Sequence, residues 1–178
     1  MRTLDRRPKV SRRALLTGSG AAVLAVSIGP DGLVSGRAWA AQPAAVTPET
    51  FATLVQVSRD IYPHDRFADS IYAEAVKEID ASAAGDDKTT KLLEDGVAAL
   101  NSAAQGAHGS AYNAVEWESD RVALLRAIET GPFFQKIRGA LITGIYNKPR
   151  VWELLGYEGE SASKGGYINR GFDDLDWI

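Results

Sequence analysis

The sequence predicts an all-α fold: a single compact bundle of about five or six helices, with an extended Gly- and aromatic-rich C-terminal tail. Three observations carry this. Apolar residues recur at helical spacing through residues 51–155, helix-starting and helix-stopping residues flank those stretches, and no period-2 strand pattern of any length appears.

The elements follow in order. Thr47 is an N-cap with Pro48 at the first helical position and Glu49 in the first turn; Phe51, Leu54, Val55, Ser58, Ile61 and Tyr62 share a face, and Pro63 ends the run. A second helix is expected to start near Asp65 or Arg66, with Ala68, Ile71, Tyr72, Ala75, Val76 and Ile79 as its stripe, and to fade at Ala83-Ala84-Gly85. Asp86-Asp87 opens a third, with Leu92, Leu93, Val97 and Leu100 inward and Gly96 weakening it. Residues 103–113, with Gly106, Gly109 and Ser110, read as loop. Ser119-Asp120 is expected to cap a fourth helix that buries Val122, Leu125 and Ile128. Thr130-Gly131-Pro132 breaks the chain and opens a fifth, with Phe133, Phe134, Ile137, Leu141, Ile145 and Tyr146 on one broad face. Pro149 starts a short sixth carrying Val151, Trp152 and Leu155, with Gly156 as a left-handed stop.

Ahead of this domain, residues 1–40 read as an export signal. Ser11-Arg12-Arg13-Ala14-Leu15-Leu16 places two guanidinium groups before a weakly apolar run, residues 14–28; Pro30 and Ala38-Trp39-Ala40-Ala41 follow, a small-x-small site for cleavage after Ala40. Arg12, Arg13 and Leu15 point to the twin-arginine route, with Ala38 and Ala40 as the cut-site residues. The alternative is an ordinary secretory signal with an accidental Arg-Arg. The run is too short and too rich in Gly, Ser and Thr for a comfortable membrane span. Residues 41–156 are then the helical domain and 157–178 the tail.

Seven of the 20 basic residues but only two of the 23 acidic ones precede residue 41, which leaves the exported part at a formal charge of −8. An acidic domain without a basic stripe repels phosphate backbones, so no nucleic acid is expected as a partner. With no cysteine, the chain forms no disulfide and supplies no thiolate for zinc, covalent haem or an iron–sulfur cluster. Its two histidines, His64 and His108, make no ligand set for a metal, and neither a dinucleotide fingerprint nor a P-loop occurs. No cofactor is therefore expected in this chain. The twin-arginine route carries folded cargo, so the simplest resolution is a cofactor held by a partner.

No catalytic residue is singled out. Pro63-His64-Asp65 is the best candidate for chemistry, as a general base, but a helix-breaking turn with Asp65 capping the next helix, or an interface contact, is the preferred reading. His108 is expected to face solvent. The tail holds Gly166, Tyr167, Ile168, Arg170, Phe172, Leu175, Trp177 and Ile178, too much apolar surface for a disordered segment. It wraps its own bundle or lies across another protein. Arg170 with Phe172 makes an interface anchor. Asp173, Asp174 and Asp176 lack calcium-loop spacing and suit a partner arginine better. Trp152, on a helical stripe, is more often core than contact. The candidate interface set is thus Pro63, His64, Asp65, Trp152, Gly166, Tyr167, Arg170, Phe172, Asp174 and Trp177.

Five short stretches occur in a telling order: Ile61-Tyr62-Pro63-His64-Asp65, Gly131-Pro132-Phe133-Phe134, Tyr146-Asn147-Lys148-Pro149-Arg150-Val151-Trp152, Leu155-Gly156-Tyr157 and Gly165-Gly166-Tyr167-Ile168. Together with the leader they resemble the gluconate 2-dehydrogenase subunit 3 family, from about Phe51 to the end. The resemblance implies a non-catalytic small subunit of a periplasmic sugar, glycoside or sugar-acid dehydrogenase. Its large partner would be a flavoprotein of the glucose-methanol-choline type that binds FAD. A cytochrome c subunit often receives the electrons in such complexes. The small subunit would carry the export signal to the twin-arginine translocase and stabilise the flavoprotein, with membrane association through the complex. The competing reading is a self-sufficient periplasmic α-helical small-ligand binder or enzyme.

Overall fold

Thr47 sets the first helix. Its hydroxyl accepts from the Thr50 amide at 3.2 Å, Pro48 follows where no amide partner is needed, and α1 runs Pro48–Ile61 in the computed structural model, which describes residues 43–169. The remaining helices are α2 (Asp69–Ala83), α3 (Asp87–His108), α4 (Glu118–Ala127), α5 (Pro132–Tyr146) and α6 (Pro149–Leu155), with 3-10 turns at Tyr112–Ala114 and Ala162–Lys164. The described residues contain no strand. The all-α bundle of the sequence reading is the fold observed, with six α-helices among the described residues.

One core runs through α1 to α6. Leu54 and Val57 of α1, Tyr72 and Val76 of α2, Leu93 of α3 and Ile137, Leu141 and Ile145 of α5 are wholly buried. α2 lies between α1 and α5, and its meeting with α5 is close. A Cβ added at Gly144 would stand 3.1 Å from the Ala75 Cβ, so two small residues let these backbones approach.

Four local expectations are corrected. α2 starts at Asp69, not near Asp65, because the Phe67 amide donates to the His64 carbonyl at 3.2 Å and closes a turn over residues 65 and 66. Phe67 then enters the core, which holds that turn against helix extension. α3 continues to His108 through residues read as loop: Ala104 is wholly buried, and that packing outweighs the propensity cost of Gly106. Gly109 stops the helix, in the left-handed region at φ 70°.

α4 begins at Glu118, with Trp117 as its cap residue and no side-chain cap bond, so Ser119 and Asp120 lie inside the first turn, where the carboxylates of Glu118 and Asp120 stabilise it by charge. Of its expected inward residues Leu125 is buried, whereas Val122 and Ile128 are half-buried. Gly96, besides its propensity cost to α3, has a packing role: a Cβ there would stand 2.0 Å from a Phe133 ring carbon, so the missing side chain is the seat of that ring.

Two buried carboxylates tie elements together. Asp60 accepts from Gln56, Tyr112 and Arg121, which joins α1 to the 3-10 turn and to α4. Asp80 of α2 accepts three consecutive backbone amides, those of Ala44, Ala45 and Val46. On the surface, Lys148 pairs with Glu78 and Arg150 with Glu74, which fastens the start of α6 to α2.

Among the described residues no helix is long and apolar enough to cross a membrane. The export-signal residues Arg12, Arg13, Leu15, Ala38 and Ala40, and the tail residues Arg170, Phe172, Asp174 and Trp177, lie outside the described residues.

Candidate functional site

Pro63 cannot continue α1, and the chain turns sharply behind it. Residues 63–67 form one wall of a hollow of about 360 Å³, and Leu154 and Leu155 of α6 form the other. The sequence marks the first wall, through Pro63, His64 and Asp65. The second arises because a seven-residue helix has too few turns to bury every apolar residue it carries. Val151 takes the buried position, leaving Leu154 at 40% and Leu155 at 48% exposure. Leu155, one of the three apolar residues expected on this helix, is therefore half exposed.

The floor is rigid. His64 stacks on Phe67 with ring centroids 4.2 Å apart, and its Nε2 lies 2.7 Å from the Tyr146 hydroxyl. Tyr62 and His64 both meet the Tyr146 ring edge-on at 5.7 Å. Burial, reinforced by Tyr62, pushes the Tyr146 hydroxyl above the usual phenol range, so it stays protonated and can donate to the imidazole. Arg59 closes the turn from beneath. It pairs with Asp69, donates to the Phe67 carbonyl at 3.0 Å and lies 4.8 Å above the Tyr72 ring. Tyr72 in turn donates to the Tyr62 carbonyl at 2.8 Å.

This corrects the reading of Asp65. It neither caps α2, which starts four residues later, nor orients His64, whose polar partner is Tyr146. Asp65 and Arg66 stand exposed at the tip of the turn. His108 is exposed as expected, with Nδ1 3.8 Å from an Asp120 carboxylate oxygen.

Trp152 is half-buried and works within the fold. Its indole N–H donates to the Tyr146 carbonyl at 2.6 Å, and its ring meets Tyr157 edge-on at 5.5 Å. A Cβ on Gly159 would stand 3.4 Å from the same ring. The chain just past α6 therefore packs on its own bundle, while Tyr157 keeps half its surface exposed beside Leu155 in sequence. Further on, Gly166 occupies the left-handed region at φ 79° and donates to the Ser161 carbonyl at 2.8 Å. Tyr167 at 66% and Ile168 at 83% exposure point away from the core.

The structure thus brings Pro63, His64 and Asp65 together with Arg66, Phe67, Leu154 and Leu155 at the hollow. Leu154 and the His64–Tyr146 contact escaped the sequence reading. The pairing spans 82 positions and no local pattern announces it. Two adjacent leucines on a helix of two turns were a usable signal.

Among the described residues no group of three or more His, Cys, Asp or Glu side chains is placed to hold a metal ion. What the hollow offers is a small cup with His64, Asp65 and Arg66 on one side and the exposed Leu154 and Leu155 on the other.

Residues 48–159 match the family described as gluconate 2-dehydrogenase subunit 3. That span takes in the six described α-helices, the hollow and the Trp152–Gly159 packing. No curated protein and no solved structure matches the chain.

Proposed function

The chain belongs to the gluconate 2-dehydrogenase subunit 3 family, and from that premise we propose that it is the non-catalytic small subunit of a periplasmic FAD-dependent dehydrogenase acting on a sugar, glycoside or sugar acid. Its partner is a large flavoprotein of the glucose-methanol-choline type, which holds the FAD and oxidises the alcohol. A cytochrome c subunit is a further partner where the electrons leave through haem. The chain's own part is to stabilise the flavoprotein and to bring it to the twin-arginine translocase on the signal of residues 1–40.

The observation that carries this reading is the family match over the whole helical part of the chain. The surface supports it: Leu154 and Leu155 are exposed at the rim of the hollow, and Tyr157 follows them in sequence with half its surface exposed. Large apolar side chains left exposed beside a preformed recess are what a partner anchor requires.

The test is to recover the chain from a periplasmic extract and identify what accompanies it. A large protein with a flavin absorbance spectrum is expected, with dehydrogenase turnover that follows the complex. A chain that migrates alone and oxidises a sugar by itself would overturn the proposal in favour of a self-sufficient enzyme.

A further inference from the structure

Asp80 is a buried carboxylate, 2% exposed, that takes no part in the hollow. It accepts from the Ala44, Ala45 and Val46 amides at 2.5, 2.9 and 3.0 Å. Glu94 of α3 takes the next amide, that of Thr47, at 2.6 Å, and the Thr50 hydroxyl at 2.6 Å. Four consecutive amides ahead of α1 are thereby held by carboxylates from two other helices, while Val46 is buried in the core. A buried carboxylate is costly unless its lone pairs are filled. Here a segment outside any helix fills them, and it does so only when α1, α2 and α3 are assembled.

We propose that Asp80 and Glu94 form a fold-dependent latch that sets where N-terminal processing stops. An endopeptidase binds its substrate extended, through the substrate's own backbone amides. Ala44-Ala45-Val46 is a run of small residues that such an enzyme would otherwise accept, but its amides are occupied. The Ala38-Trp39-Ala40 cut site lies ahead of the latch in the chain, with residues 41–43 between the expected scissile bond and the first latched amide. Processing ahead of the latch would therefore stop short of Ala44. This biological sense rests on the export reading above; the latch itself does not.

The test uses the full chain and pancreatic elastase, which cuts after small residues, with fragments read by mass. Trimming is expected to stop ahead of Ala44. In Asp80→Asn and Asp80→Ala, cuts after Ala44, Ala45 and Val46 should accelerate at least about tenfold, with the helical circular dichroism retained. Should those variants fail to fold, hydrogen exchange on the unaltered chain decides, with the amides of residues 44–47 expected to be protected. Free exchange there, or cleavage after Ala45 as fast as after Ala40, would overturn the latch. Cell fractionation tests the export reading separately: a chain confined to the cytoplasm with protected amides refutes export and supports the latch.

Discussion

Arg121 grips the buried carboxylate of Asp60 with both arms of its guanidinium, Nε to Oδ2 at 2.9 Å and Nη2 to Oδ1 at 3.1 Å. The Asp60 side chain is 1% exposed, and Tyr112 and Gln56 fill its remaining acceptor positions. Removing the cation leaves an unpaired charge in the core. Arg121→Leu should therefore cost about 3–5 kcal/mol, read as a lower urea midpoint at unchanged slope. The double variant Asp60→Leu with Arg121→Leu should lose less than Arg121→Leu alone, because no orphan charge remains. Equal or greater loss in the double variant would show that the pair stabilises by more than mutual neutralisation.

The same network makes the protein sensitive to alkali. Burial, then the Asp60 carboxylate, pushes the Tyr112 hydroxyl far above the phenol range, and burial raises Tyr72 and Tyr146 as well. Below the unfolded phenol value of about 10, folded and unfolded chains are both protonated and these groups add no pH slope. Above it the unfolded chain loses protons that the folded chain keeps, so stability falls as pH rises. The urea midpoint should thus drop steeply from about pH 10 upward. Tyr112→Phe should start from a lower midpoint at about pH 8 yet decline less steeply, and parallel slopes would assign the effect elsewhere.

Gly96 and Phe133 make a third case. Helix propensity alone predicts that Gly96→Ala stabilises α3 by about 1 kcal/mol. The added Cβ would stand 2.0 Å from a buried ring, and overpacking of that kind costs about 1–3 kcal/mol. The expected outcome is net destabilisation in thermal unfolding. Adding Phe133→Leu should recover part of it, since the clash is with that ring.

Such pairs mark where the sequence stops being legible. Helix identities and most starts were readable because Thr47, Asp86, Pro132 and Pro149 act locally, within a turn of their own position. The α2 start and the last turns of α3 were not, since the core positions of Phe67 and Ala104 decide them. At the site, Pro63-His64-Asp65 stood out as a broken helix end, and residues 61–65 and 146–157 carried the family likeness. The partner of His64 depends on how α5 returns past α1, which no spacing within either helix encodes. Nothing in the local sequence marks Asp60 or Asp80, because their partners lie up to 61 positions away and pairing over that distance is invisible to periodicity.

The exposed leucines of α6 give the most direct test of where the partner binds. Leu154 and Leu155 are 40% and 48% exposed, so replacing them should change folding stability by no more than about 0.5 kcal/mol. If they seat in the dehydrogenase partner as anchors, Leu154→Asp with Leu155→Asp should cost about 2 kcal/mol or more of binding, some thirtyfold, measured by titrating the chain against that partner. Ile142 of α5 is 47% exposed and does not line the hollow, which makes Ile142→Asp the matched control and predicts near-native affinity. Trp117, 67% exposed at the start of α4, is the rival anchor. Loss of the complex in Trp117→Ala, with the leucine pair replaced at no cost, would move the interface to that edge of the bundle. Loss in the leucine variant alone ties the partner to the hollow beneath Pro63.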